Sequence, residues 1–265
     1  MEMKHAFVQN QDILGDLLIP DEKINVKIGL VWLPGLPNQP LMEDMTHQLV
    51  QQGFTVLNAR YPGSWQSYGK FGPSTSVEGA KLGMELLRSG KTTDLKGMQQ
   101  VLWDIDKVVL IGNSYGGAVA LTALATSDLS DGAVVFCPML DPAAQNENPN
   151  EPEEDLSTMY PFLKRCHENT FRDIDPQEWE DFIIGNHSCN PVTYIDNLAR
   201  KPILLLHGKE DRSIRAWHTE SFFEELREAG AKNAELHLVD GIGHGRGLRT
   251  TTQDLWVKWL KEHFS

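Results

Sequence analysis

The chain has 265 residues, 40% of them hydrophobic, and carries a net charge of −13 from 37 acidic against 24 basic side chains. That length suits one α/β domain with a sizeable core, and the apolar content excludes a disordered chain. The acidic balance argues against nucleic acid or an anionic membrane as a partner, because both attract basic surfaces. Asp12, Asp16 and Asp21 interrupt the N-terminal hydrophobic residues, so no stretch there reads as a signal peptide. No segment approaches the run of about 18 apolar residues that a spanning helix requires. Cys137, Cys166 and Cys189 are an odd number at no metal-like spacing, which fits a reducing, cytoplasmic setting and no metal.

Residues 5–33 read as three strands, Ala6–Val8, Ile13–Ile19 and Val26–Leu33, separated by turn residues such as Asp21-Glu22-Lys23. Pro34 to Pro40 is too rich in proline and glycine to continue any element. Met42, Met45, Leu49 and Val50 recur at helical spacing and close at Gln52-Gly53, and Phe54–Asn58 is the next strand. A loop at 60–73 leads to a helix over 76–89, buried through Val77, Ala80, Leu82, Met84, Leu86 and Leu87. For residues 91–104 a helical turn and a short strand both fit. The strand Val108–Ile111 precedes a helix over 115–127 and the strand Ala133–Cys137. Residues 141–200 break this rhythm with an acidic, Asn/Pro-rich stretch and polar segments containing Tyr160, Phe162, Trp179 and Phe182. The alternation resumes with strand 203–206, helix 216–229, strand 235–239 and helix 248–263. Strands alternating with helices imply a mostly parallel sheet with helices on both faces and right-handed crossovers. An irregular segment of about 60 residues is too long for a plain connection and reads as a small cap or lid, with a solvated surface excursion as the alternative.

The stretch Val108 to Leu121 concentrates the chemistry. An apolar strand stops at Gly112-Asn113-Ser114-Tyr115-Gly116-Gly117 and a helix begins at once. So sharp a turn puts Ser114 at its apex near positive φ, and glycines two residues either side remove the Cβ atoms that would collide. The serine hydroxyl is thereby raised beside the first free N–H groups of a helix, where developing negative charge is stabilised.

This Gly-x-Ser-x-Gly elbow resembles that of the α/β-hydrolase family, whose chain order is serine, acid, histidine. Asp211 follows strand 203–206 in His207-Gly208-Lys209-Glu210-Asp211, and His244 follows strand 236–239 in Gly241-Ile242-Gly243-His244-Gly245. Both lie at strand C-terminal ends, where open α/β sheets build their sites. Glu210 and Asp240 compete with Asp211 as the acid, and the His-Gly-x-x-Asp arrangement favours Asp211. His207, at the end of a buried strand, reads as a hydrogen-bonded structural histidine. The resemblance implies an oxyanion hole from the backbone N–H groups of Leu36 and Tyr115. Pro34 stands where many relatives carry histidine before the glycine.

Arg60-Tyr61-Pro62-Gly63-Ser64, with Ser67 and Gly69, is similar to a segment of acylaminoacyl-peptidase and prolyl-oligopeptidase-like hydrolases, and so is the Ser-Tyr-Gly-Gly elbow. Those peptidases usually carry an N-terminal β-propeller, for which 265 residues leave no room. The resemblance therefore implies an α/β-hydrolase core over 1–140 and 201–265, a cap over 141–200, and the chemistry of a free-standing serine esterase. The substrate expected is a small-molecule ester, or an acyl or peptidyl compound if the protein is a peptidase, amidase or acyltransferase. A non-catalytic binding protein of the same fold is the remaining alternative. No cofactor is required. Tyr61, Trp65, Tyr160 and Trp179 are candidates for the substrate pocket, with plain packing as the alternative for each.

Overall fold

The computed structural model describes residues 3–37, 44–167 and 169–265, and only the backbone of residues 165–167. Two neighbouring strands, β1 (Lys4–Asn10) and β2 (Ile13–Ile19), form an antiparallel hairpin closed at Gln11-Asp12. The sheet continues through β3 (Ile28–Leu33), β4 (Thr55–Ala59), β7 (Lys107–Asn113), β8 (Gly132–Phe136), β9 (Ile203–Gly208) and β10 (Ala234–Val239). Its spatial order is β1-β2-β4-β3-β7-β8-β9-β10, antiparallel up to the β2–β4 pair and parallel from there.

The parallel strands are apolar at nearly every position because both faces are covered. Alternation with period two divides their side chains between two cores. Val31, Leu57, Leu110, Val135 and Leu205 point toward α2 (Pro73–Ser89), α3 (Tyr115–Ala125) and α7 (Ala216–Glu228). Leu30, Val56, Val109, Ile111, Val134 and Leu204 point to the other face, against α1 (Asp44–Gln51), α8 (Arg246–Thr251) and α9 (Gln253–Phe264).

Several boundaries differ from the sequence reading for local reasons. Helix α2 begins at Pro73 rather than 76, since proline suits the first helical position, whose N–H needs no partner. Strand β3 starts two residues late, because Lys27 has φ +58° and leaves the extended region. Residues 91–104 contain a hairpin of β5 (Lys91–Asp94) and β6 (Gln99–Leu102), which lies beside β1. The C-terminal helix is two helices, broken at Thr252, whose hydroxyl donates to Leu248 O at 2.7 Å. Met42, expected in the first helix, lies outside the described residues.

Residues 141–200 contain α4 (Met159–His167), α5 (Pro176–Ile183), α6 (Ile195–Leu198) and short 3-10 turns. Their apolar residues join the larger core. Trp179 stacks on Tyr115 with ring centroids 5.7 Å apart, Phe171 lies 4.6 Å from Phe71, and Phe182 meets Tyr115 edge-on. Among the described residues no helix is long and apolar enough to cross a membrane.

Candidate active site

Ser114 sits between β7 and α3 with φ 55° and ψ −121°, the strained conformation expected for the apex. The surroundings hold it there. Its N–H donates to Phe136 O at 2.9 Å, and its carbonyl accepts from Gly117 N at 2.8 Å and Met139 N at 3.0 Å. Both flanking glycines are required by close approach: a Cβ at Gly112 would lie 2.4 Å from Gly116 O, and one at Gly116 would lie 2.1 Å from Leu33 O. The loop after β3 therefore presses on the elbow. A Cβ at Gly35 would reach the Ser114 Cβ at 3.1 Å.

The acid and the histidine meet because two sheet-end loops are zipped together. Lys209 N donates to Val239 O at 2.9 Å and Glu210 N to Ile242 O at 3.0 Å. Only glycine fits at 208, where a Cβ would be 2.2 Å from Ile242 O. The result is a contact of 2.6 Å between His244 Nδ1 and Asp211 Oδ2. Asp211 is fully buried, while the His244 side chain is 26% exposed. An ionised carboxylate only accepts, so the proton is on Nδ1 and Nε2 is the free base. Asp211 Oδ1 accepts from Ser213 N at 2.9 Å and Ile214 N at 3.0 Å. Burial pushes the Asp211 carboxyl upward, but hydrogen bonds from His207, His244 and Ile214 outweigh it and hold the group well below the usual carboxylate range. Glu210 and Asp240, the competing acids, lie elsewhere: Glu210 is exposed, and Asp240 pairs with Lys209 at 2.8 Å.

The other residues singled out from sequence fall into two groups. Tyr115 is fully buried, with its hydroxyl donating to Ser76 Oγ at 2.8 Å, and its N–H begins α3, where no intrahelical acceptor exists. Leu36 is half-buried in the loop after β3. Tyr61 is buried and donates to Pro34 O at 2.8 Å, so it braces the loop that carries Leu36. Trp179, 1% exposed, is enclosed by Tyr115, Phe71 and Phe182 and is packing. Trp65 is half-buried with φ +49°, and its N–H donates to Thr170 O at 2.9 Å. Tyr160 is half-buried and lines a cavity of about 160 Å³ with Lys164, Phe171, Asp173 and Ile174.

Two neighbours of the site were not brought there by the sequence reading. Cys137 is buried at the end of β8 with φ +43°, and its sulfur, an Asp211 oxygen and a His244 nitrogen all lie within 4.8 Å of one another. His207 Nε2 lies 3.3 Å from Asp211 Oδ2. The i, i+4 spacing within His-Gly-x-x-Asp was the available signal for His207; Cys137 had none. This trio of sulfur, carboxylate and imidazole does not suit a zinc ion as it stands. Tetrahedral ligand atoms about 2.0–2.3 Å from zinc stand well over 3 Å apart, whereas His244 Nδ1 and Asp211 Oδ2 are 2.6 Å apart and share a proton.

Comparisons with known proteins agree with this architecture. The sequence model of the prolyl oligopeptidase family, peptidase S9, matches residues 96–265. A search of curated proteins gives no match. Among solved structures, the chain is similar to the esterase Pf2001 of Pyrococcus furiosus, with 16% identity over 99% of this chain and 91% of that one and a TM-score of 0.69. It is also similar to the α/β hydrolase GrgF from Penicillium sp. sh18, with 16% identity, a TM-score of 0.71, and coverage of 100% and 99%. It matches the Pyrococcus horikoshii acylaminoacyl peptidase at 16% identity and a TM-score of 0.62, covering 99% of this chain but 42% of the peptidase. These likenesses concern the α/β-hydrolase fold, and the match over well over half of the sequence assigns the chain itself: it belongs to the prolyl oligopeptidase family.

Proposed function

We propose that the protein is a serine hydrolase that cleaves carboxylic esters through Ser114, His244 and Asp211. The observation that carries this reading is the 2.6 Å contact between His244 Nδ1 and Asp211 Oδ2, which leaves Nε2 as the base, in a chain whose elbow serine has φ 55°. Ser114 Oγ attacks the carbonyl carbon and passes its proton to His244 Nε2. Asp211 holds the imidazole's tautomer and stabilises the imidazolium. The backbone N–H groups of Leu36 and Tyr115 receive the oxyanion, and a donor of this kind is worth about 3–4 kcal/mol in the transition state. His244 then protonates the leaving alcohol, and water repeats the sequence on the acyl-enzyme. None of these steps calls on a metal or organic cofactor.

Residues 141–200 form a cap on the α/β-hydrolase core of residues 1–140 and 201–265 in this proposal. Supporting it, Ser64 and Phe171 form a β-bridge, Phe71 N donates to Arg172 O at 2.9 Å, and Glu154 meets the Arg212–Ser213 segment beside Asp211. A cytoplasmic location fits the free, buried Cys137 and Cys189. A peptidase reading is favoured by the family itself and uses the same residues. A panel of p-nitrophenyl esters and aminoacyl anilides separates the two. We expect ester cleavage to dominate and to vanish in Ser114→Ala; cleavage of anilides alone would move the assignment to a peptidase.

A further inference from the structure

Asp211 is bonded on more sides than an orienting acid requires. Beyond His244, its Oδ2 faces His207 Nε2 at 3.3 Å, and that ring is fully buried at the end of β9. The same Nε2 lies 2.9 Å from Ile214 O. Both neighbours are pure acceptors, so Nε2 carries a proton, and the Thr219 hydroxyl, 2.7 Å from Nδ1, donates to the other nitrogen. His207 is thus locked as a donor aimed between the Asp211 carboxylate and the backbone of the same loop. Cys137 approaches from β8. Its sulfur, an Asp211 oxygen and a His244 nitrogen lie within 4.8 Å of one another, which brings the thiol against the carboxylate. Burial and the charge of Asp211 push this thiol up, which keeps it protonated and a donor. Glu210 and Arg212, which flank Asp211, are exposed, and other polar groups around the loop have partners of their own. Arg215 Nη1 donates to Asp211 O at 3.2 Å, Glu153 pairs with His218 at 2.9 Å, and Lys209 pairs with Asp240 at 2.8 Å.

We propose that His207 and Cys137 are positioning residues, which hold the Asp211 carboxylate from behind and set how strongly it supports His244 as the base. The proposal rests on the hydrolase reading above. A carboxylate shared among several donors stabilises an imidazolium less than one bonded to that imidazole alone. With both donors in place, less of the carboxylate's charge falls on His244. Taking one away concentrates the carboxylate's charge on His244, raises the pKa of that base, and moves the acidic limb of kcat/KM upward.

The test is the pH dependence of kcat/KM for a p-nitrophenyl ester in wild type, His207→Leu, His207→Gln and Cys137→Ala, with Tm recorded for each. His207→Leu deletes the donor at similar volume. His207→Gln places an amide N–H near the position of Nε2. Cys137→Ala removes one sulfur atom and adds no backbone strain, since alanine has the same Cβ at that positive φ. The acidic midpoint rises by about 0.5 pH unit in His207→Leu and about 0.3 in Cys137→Ala, and returns toward wild type in His207→Gln. Variants that lower Tm but keep the wild-type midpoint would overturn the proposal, because purely structural residues have no reason to move it. If His207→Leu does not fold, the midpoint of Cys137→Ala decides in the same way. Failure of the hydrolase reading has a different signature: wild-type activity that persists in Ser114→Ala.

Discussion

The loops that carry Ser114, Asp211 and His244 and the segment 141–200 are held in different ways. The three loops leave the ends of β7, β9 and β10, whose strands are paired through the backbone and flanked by two apolar cores. Their geometry follows from strand register and from glycines at positions where a Cβ would strike backbone. The segment 141–200 packs its aromatic residues on the larger core and adds anchors made by single polar side chains. Glu153, whose side chain is 1% exposed, accepts from Arg215 N at 2.8 Å, Asn146 N at 3.0 Å and His218 Nε2 at 2.9 Å. Glu178 reaches across to the start of α2, where Gly72 supplies no cap, and accepts from Ser74 N at 2.8 Å. Under the proposed function, the difference teaches that the chemistry resides on the rigid sheet edge, while the segment beside it adds polar contacts that single substitutions can remove.

The sharpest separation of the two regions is catalytic. Asp211→Asn leaves the packing in place but removes the charge that fixes the His244 tautomer, so kcat should fall by roughly 10⁴-fold. Steady-state ester hydrolysis beside an unchanged circular-dichroism spectrum checks it. A loss confined to KM would break the comparison.

In the second region the expected losses are of stability. Trp179→Ala opens a cavity beside Tyr115, and chemical denaturation should show a loss of about 3–5 kcal/mol. Glu153→Ala leaves Arg215 N and His218 Nε2 without their buried acceptor, and a donor stranded in this way costs about 1–3 kcal/mol. If either variant instead lost activity at full stability, the segment would belong to the chemistry.

How much of this was legible in the sequence follows the same division. Apolar strands of period two, the glycines around Ser114, and the order of Asp211 and His244 all express backbone constraints, which leave marks in residue type and spacing. The hairpin at 91–102 left no such mark, because its strands carry only exposed and half-buried residues and so show no buried stripe whose period separates a strand from a helical turn. The anchoring of Glu153 by His218 joins residues 65 apart, and nothing local to either announces the other. Trp179 was visible as an aromatic needing a partner, yet which side it faces depends on tertiary packing. Read as a pocket candidate, it is enclosed in the core.

A smaller effect distinguishes the anchor at Glu178. The hydrogen bond from His187, joined by Ser74 N and opposed by burial, lowers its carboxyl to about 2. His187 Nδ1 accepts from Cys189 N at 2.9 Å, so Nε2 is the nitrogen that carries the proton toward Glu178, 3.3 Å away. A carboxyl lowered in the folded state contributes stability above its ordinary value of 4.5 and loses it as pH falls toward about 2. Tm measured across that interval should fall less steeply in Glu178→Gln than in wild type. Parallel curves would mean that this anchor is electrostatically idle.

The central claim, that the strained residue at the end of β7 is a nucleophile, is tested most directly by covalent capture. Wild-type protein treated with a fluorophosphonate should gain one adduct, located on Ser114 by peptide mass spectrometry, and lose ester hydrolysis in step. Ser114→Ala should gain none. Labelling at another residue, or undiminished labelling and hydrolysis in Ser114→Ala, would contradict the account.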